Sequence, residues 1–237
     1  IDPFQGKVMA TFARQNLKLD RVAVFKDVRN DYSIGLSEAF IAEFKRLGGQ
    51  IVGEESYNEG DTDFSAQLTK LKGLDPQALF VPGYYTEVGN IARQSRRLGL
   101  NVPLLGGDGW EGKELHDIGG PDIVGSYYTN HFAPDNPSEK SKAFITAYTQ
   151  RYSEPPTALA AQGYDATALI IDAMKRAPQP TAAAIRDAIA ATRNYAGVTG
   201  SITFDEHRNP TKGIVVLRVD GDGTDKFVVQ IAPDGTT

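Results

Sequence analysis

The chain has no cysteine among its 237 residues, which removes disulfides, thiolate metal sites and cysteine nucleophiles together and leaves the redox compartment open. Its three histidines, His116, His131 and His207, are scattered, with no second histidine at i+4 and no glutamate in zincin spacing. A zinc hydrolase therefore has no ligand set. No G-x-S-x-G elbow occurs, and no pair of carboxylates stands out from the background of solvated acids. No apolar run approaches the roughly 18–20 residues that cross a bilayer, and no signal-peptide pattern opens the chain. Charge of neither sign gathers into a long run: Lys+Arg 25 against Asp+Glu 30 leave a formal charge of −5. That balance gives no electrostatic footprint for nucleic acid or an anionic membrane. No metal, cofactor or nucleic-acid partner is expected.

What is present is ordinary globular composition, 41% apolar and 23% charged. The chain opens Ile1-Asp2-Pro3-Phe4 rather than with methionine, and a processed, trimmed or truncated product is expected. Residues 21–131 repeat one rhythm, a short apolar run, a turn cluster and an amphipathic stretch, which is the signature of βα units. Strands are expected at Arg21–Asp27, Gln50–Tyr57, Ala78–Pro82, Pro103–Gly106 and Gly125–His131. Helices are expected at Ile34–Leu47, Phe64–Leu74, Glu87–Leu98 and Lys113–Ile118. In the first of these, Leu36, Phe40, Ile41, Phe44 and Leu47 keep one buried face, and Gly48-Gly49 supplies the stop. A parallel, doubly wound α/β sheet follows. After the turn-rich Ala133–Pro137 the rhythm changes to three helices, Glu139–Tyr152, Ala158–Ala177 and Ala182–Thr192, with no strand between them. Three strands then close the chain, at Val198–Phe204, Gly213–Val219 and Lys226–Ile231. Three helices with so few strands imply a second, incomplete structural unit.

Two motifs tempt and fail. Gly107-Asp108-Gly109-Trp110-Glu111-Gly112-Lys113-Glu114 has the glycine and lysine spacing of a phosphate loop. Glu114 stands where Ser or Thr would hold Mg²⁺, and Asp108 and Glu111 would face a polyphosphate. Asp220–Asp225 begins like a calcium loop, but Asp225 replaces the required glycine and Ile231 the closing glutamate.

In a parallel α/β sheet the ligand sits outside the carboxyl ends of the strands. Three loops at that end are unusual: Asp27–Ser33, Gly83–Glu87 and Gly106–Trp110. Together they line one rim with Tyr32, Tyr84, Trp110 and a carboxylate, Asp108, framed by glycines. Glycines let a backbone approach a ligand, aromatics cover apolar groups, and a carboxylate suits an ammonium. Each residue also has a structural alternative: the tyrosines as packing, Asp108 as a helix cap, Trp110 as core. Their coincidence at one end of one sheet favours a binding role.

These residues carry a resemblance. Val22–Asp27 through Tyr32, Gly60–Phe64, Gly83–Gly89 and Gly106–Gly109, followed by Gly163–Ala166 and Thr203–Asp205, resemble Leu/Ile/Val-binding proteins in order and separation. Those are the substrate-binding proteins of ABC importers, with the type I periplasmic-binding-protein fold. The resemblance implies no catalysis, an amino-acid ligand in an interlobe cleft, an ABC permease as partner, and a periplasmic or extracellular location, lipid-anchored or free. Residues 1–131 with 216–237 would form lobe two, and 132–215 the C-terminal part of lobe one, with hinges near Asp2, His131 and Val216. Tyr84 would contact the ligand's ammonium end, Asp108 would pair with the ammonium, and Tyr32 would close over the ligand. Leu159 stands where the family often has an aromatic contact. The N-terminal half of lobe one, with the donors that hold the ligand's carboxylate, has no counterpart. The apolar faces around Phe144, Ile145, Tyr148, Leu169, Ile170 and Ala173 are accordingly expected to be covered by a second copy, a swapped element or a rearranged lobe, with a homodimer as the first choice.

Two other functions remain to be weighed. A ligand-sensing effector domain of a regulator or receptor would share this fold, but a regulator should bring a basic helix-turn-helix segment. A Rossmann-like enzyme should show a phosphate loop or a nucleophile.

Overall fold

The computed structural model describes residues 2–135 and 138–235. Helix α1 (Asp2–Gln15) precedes the first strand, where no helix was expected. Its buried face mixes Val8, Met9 and Phe12 with Gln5, Gly6 and Thr11, and those polar positions interrupt the apolar stripe that marks a helix in sequence. Then come β1 (Arg21–Asp27), α2 (Asp31–Arg46), β2 (Gln50–Tyr57), α3 (Ser65–Gly73), β3 (Ala78–Phe80), α4 (Tyr85–Arg97), β4 (Leu104–Gly106), α5 (Lys113–Gly119) and β5 (Tyr127–Asn130). The Asn30 side chain caps α2 by accepting from Tyr32 N–H at 3.0 Å, and Gly48, at φ +80°, ends that helix.

The second half supplies α6 (Glu139–Tyr152), α7 (Ala158–Arg176), α8 (Ala182–Ala190), β6 (Tyr195–Gly197), β7 (Gly200–Phe204), β8 (Pro210–Thr211), β9 (Ile214–Val219) and β10 (Asp225–Ile231). The strand expected at Val198–Phe204 is in fact a tight hairpin, β6 turning through Val198-Thr199 into β7. The buried Asp165 carboxylate on α7 holds that turn, accepting from Val198 N–H (2.7 Å), Thr199 N–H (2.8 Å) and the Thr199 hydroxyl (2.7 Å).

The seven-stranded sheet has the order β10-β9-β5-β4-β3-β1-β2, and β6-β7-β8 form a small sheet of three. Strands β1 to β5 pair in parallel. β3 and β4 are buried throughout, as strands covered on both faces must be, whereas β2 alternates towards solvent at the edge. The chain steps outward from β1 to β2 and then returns to the other side of β1 for β3, so the topological switch lies between β1 and β3. Contacts divide the chain into an α/β unit, Asp2–Asn130 with Val216–Val229, and a helical unit, His131–Val215 with the chain from Gln230 onward. The core of the helical unit gathers Phe132, Ala158, Ala161 and Val198, with Phe144 and Ile145 packed against them.

Candidate functional site

Parallel strands all point one way, so the segments that leave β1, β3 and β4 emerge at one edge of the α/β unit, beside the switch. Tyr32 lies in the first turn of α2, Tyr84 is the cap of α4, and Asp108 opens a short 3-10 turn, Asp108–Trp110. The structure brings these three together. The rings of Tyr32 and Tyr84 stack, with centroids 5.4 Å apart and planes at 25°. The Tyr32 hydroxyl donates to Asp108 Oδ1 at 2.9 Å and accepts from Gly109 N–H at 2.9 Å. Burial, and next the Asp108 carboxylate, push the Tyr32 phenol well above its ordinary value, so it stays protonated and donates. Tyr84 is 41% exposed, and its ring is the open face of the pair.

Glycine is needed for this approach. A Cβ on Gly107 would stand 2.5 Å from the Tyr32 hydroxyl and 2.6 Å from Leu36 Cδ2, and one on Gly109 would stand 2.9 Å from the Gly83 carbonyl. Trp110 does not share the rim. It is wholly buried, its indole N–H donates to the Val81 carbonyl at 3.0 Å, and its ring lies 5.9 Å from that of Tyr128, so it supports the turn from within. Leu159 belongs to the other unit, on α7, where it is 76% exposed. Sequence reasoning missed Gln5 on α1, whose Oε1 accepts from the Asp108 backbone N–H at 3.2 Å. The only signal was a glutamine inside an unrecognised helix.

The helical unit carries a separate, mostly apolar cavity of about 330 Å³, lined by Leu169, Ile170, Ile189, Ile202 and Phe204 with Asp165, Thr199 and Lys212. Burial pushes the Lys212 ammonium down to about 8, against the opposing pull of Asp165, while it donates to Thr199 Oγ1 at 2.8 Å. Among the described residues no group of three His, Asp or Glu is placed to hold a metal, and no helix is long and apolar enough to cross a membrane.

The sequence profile described as "Periplasmic binding protein" matches residues 4–224. The chain belongs to the periplasmic binding protein family. Among solved periplasmic binding proteins, it is similar to a leucine-binding protein from Thermotoga maritima, with TM-score 0.92 and 42% identity over 99% of this chain and 67% of that one. It is also similar to a branched-chain amino-acid transporter substrate-binding protein from Streptococcus pneumoniae, solved with isoleucine. There the TM-score is 0.83 and the identity 35%, over 96% of this chain and 65% of that one. Among curated relatives, a Leu/Ile/Val-binding protein homologue from Brucella melitensis is 32% identical over 86% of this chain and 55% of its own length. The resemblance read in the sequence and the type I periplasmic-binding-protein α/β fold therefore hold. This periplasmic binding protein chain spans about 55% of the length of the curated relatives it matches.

Proposed function

We propose that the chain is part of the solute-binding component of an ABC importer and catalyses no reaction. It receives an amino acid, branched-chain or another small apolar one, at the rim formed by Tyr32, Tyr84 and Asp108. The observation that carries this reading is the Asp108 carboxylate, fixed by the Tyr32 hydroxyl beside two stacked tyrosines at the switch of the sheet. A carboxylate presented at a rim suits an ammonium, and the exposed face of Tyr84 suits an apolar side chain. The solved leucine-binding protein and the substrate-binding protein solved with isoleucine support the same ligand class. On this reading the partner is an ABC permease, and the protein works in the periplasm or outside the cell, free or lipid-anchored.

A thermal-shift screen against the twenty amino acids tests the proposal. Leucine, isoleucine or valine should raise the melting temperature, since a ligand that binds only the folded state stabilises it by mass action. Stabilisation by acidic amino acids alone, or by none of the twenty, would contradict it.

A further inference from the structure

Helix α1 lies against α2 closely enough that a Cβ on Gly6 would stand 2.5 Å from the Leu36 carbonyl. That contact places the neighbouring Gln5 under the ligand turn. Gln5 is 0% exposed, and its Oε1 accepts both from Asp108 N–H (3.2 Å) and from the Thr129 hydroxyl (2.9 Å). The amide orientation is fixed by the first partner, because a backbone N–H only donates and the atom facing it has to be oxygen. Nε2 then has no protein acceptor among the described residues. Packing alone gives no reason for an amide here: methionine fills a similar volume without burying a polar group. What methionine lacks is a strong acceptor for Asp108 N–H.

Tyr32 thus holds Asp108 at its carboxylate and Gln5 holds it at its backbone. Gln5 also joins that turn, through Thr129, to the end of β5, next to the point where the chain leaves the α/β unit. We infer that Gln5 is a positioning residue for ligand recognition: it fixes the backbone of Asp108 so that the carboxylate is presented to the ligand's ammonium. The inference rests on the reading of Asp108 as the ammonium's partner.

The test is a ¹⁵N NMR titration, which also reads weak affinities, with L-leucine and with 4-methylpentanoate, which keeps the apolar chain and the carboxylate and lacks the amine. The parent should prefer L-leucine. Gln5→Met should weaken L-leucine about tenfold, equivalent to about 1.4 kcal/mol, and leave 4-methylpentanoate within about twofold. A merely structural role would weaken both ligands alike, and that result, or no loss at all, overturns the inference. A parent without preference for L-leucine overturns the reading of Asp108 and the inference with it. Where Gln5→Met fails to fold, Gln5→Asn carries the same comparison, since it keeps the amide and withdraws the oxygen by one methylene.

Discussion

At the scale of the residue, the two tyrosines and the carboxylate divide the work unequally. Asp108 would carry a charge pair, and removing one side of a desolvated pair strands the other, so in the intact protein Asp108→Ala should weaken amino-acid binding by more than about 2 kcal/mol. Tyr84→Phe removes one neutral hydroxyl and should cost about 0.5–1.5 kcal/mol. Calorimetry on the two variants checks the order, and a silent Asp108→Ala would reduce that residue to the opener of a 3-10 turn. Tyr32, Tyr84 and Asp108 were legible in the sequence because each follows a strand, and strand ends share an edge. Trp110 could be read as a rim residue or as core, and the sequence left that choice open because the direction of an indole depends on what lies beneath it. Here that is Gly106 and Tyr128. Gln5 was illegible, since its importance lies in two partners more than a hundred residues away in sequence.

At the scale of the element, the βα units were readable from periodicity, and the exceptions have physical causes. α1 buries polar side chains, so its stripe is broken. The β6–β7 hairpin is made by a side chain from a distant helix, Asp165, and no local turn signature announces it. The same corner yields a pH prediction. Lys212 titrates at about 8 when folded, below its ordinary 10.5, because burial disfavours the ammonium. Below about pH 8 it is charged in both states, whereas between about 8 and 10 the unfolded chain binds more protons, so this group's contribution to stability rises with pH. Denaturant unfolding from pH 7 to 10 should show that rise, and Lys212→Met should flatten it. A parent whose stability is no more pH-dependent there than the variant would show that Lys212 is not desolvated.

At the scale of the whole molecule, the α/β unit is built like the solved relatives, and the helical unit keeps several large apolar side chains in solvent. On α7, Leu159, Tyr164, Ile170, Ile171 and Met174 are each 46–76% exposed. Of the faces expected to need a cover, Leu169 and Ala173 are buried and Phe144 and Ile145 pack on the unit's own core; the groups still exposed on α7 favour association, and we expect a homodimer, which sedimentation velocity would report. A monomer at all concentrations would contradict that expectation without touching the binding site. The central claim is that an amino acid docks at the edge where β1, β3 and β4 end. Adding L-isoleucine to ¹⁵N-labelled protein tests it most directly. The amide signals of Tyr84, Asp108 and Gly109 should shift and saturate together, and Asp108→Ala should abolish the shifts. Shifts confined to the cavity around Leu169, Ile202 and Lys212, or no shifts at millimolar ligand, would contradict the account.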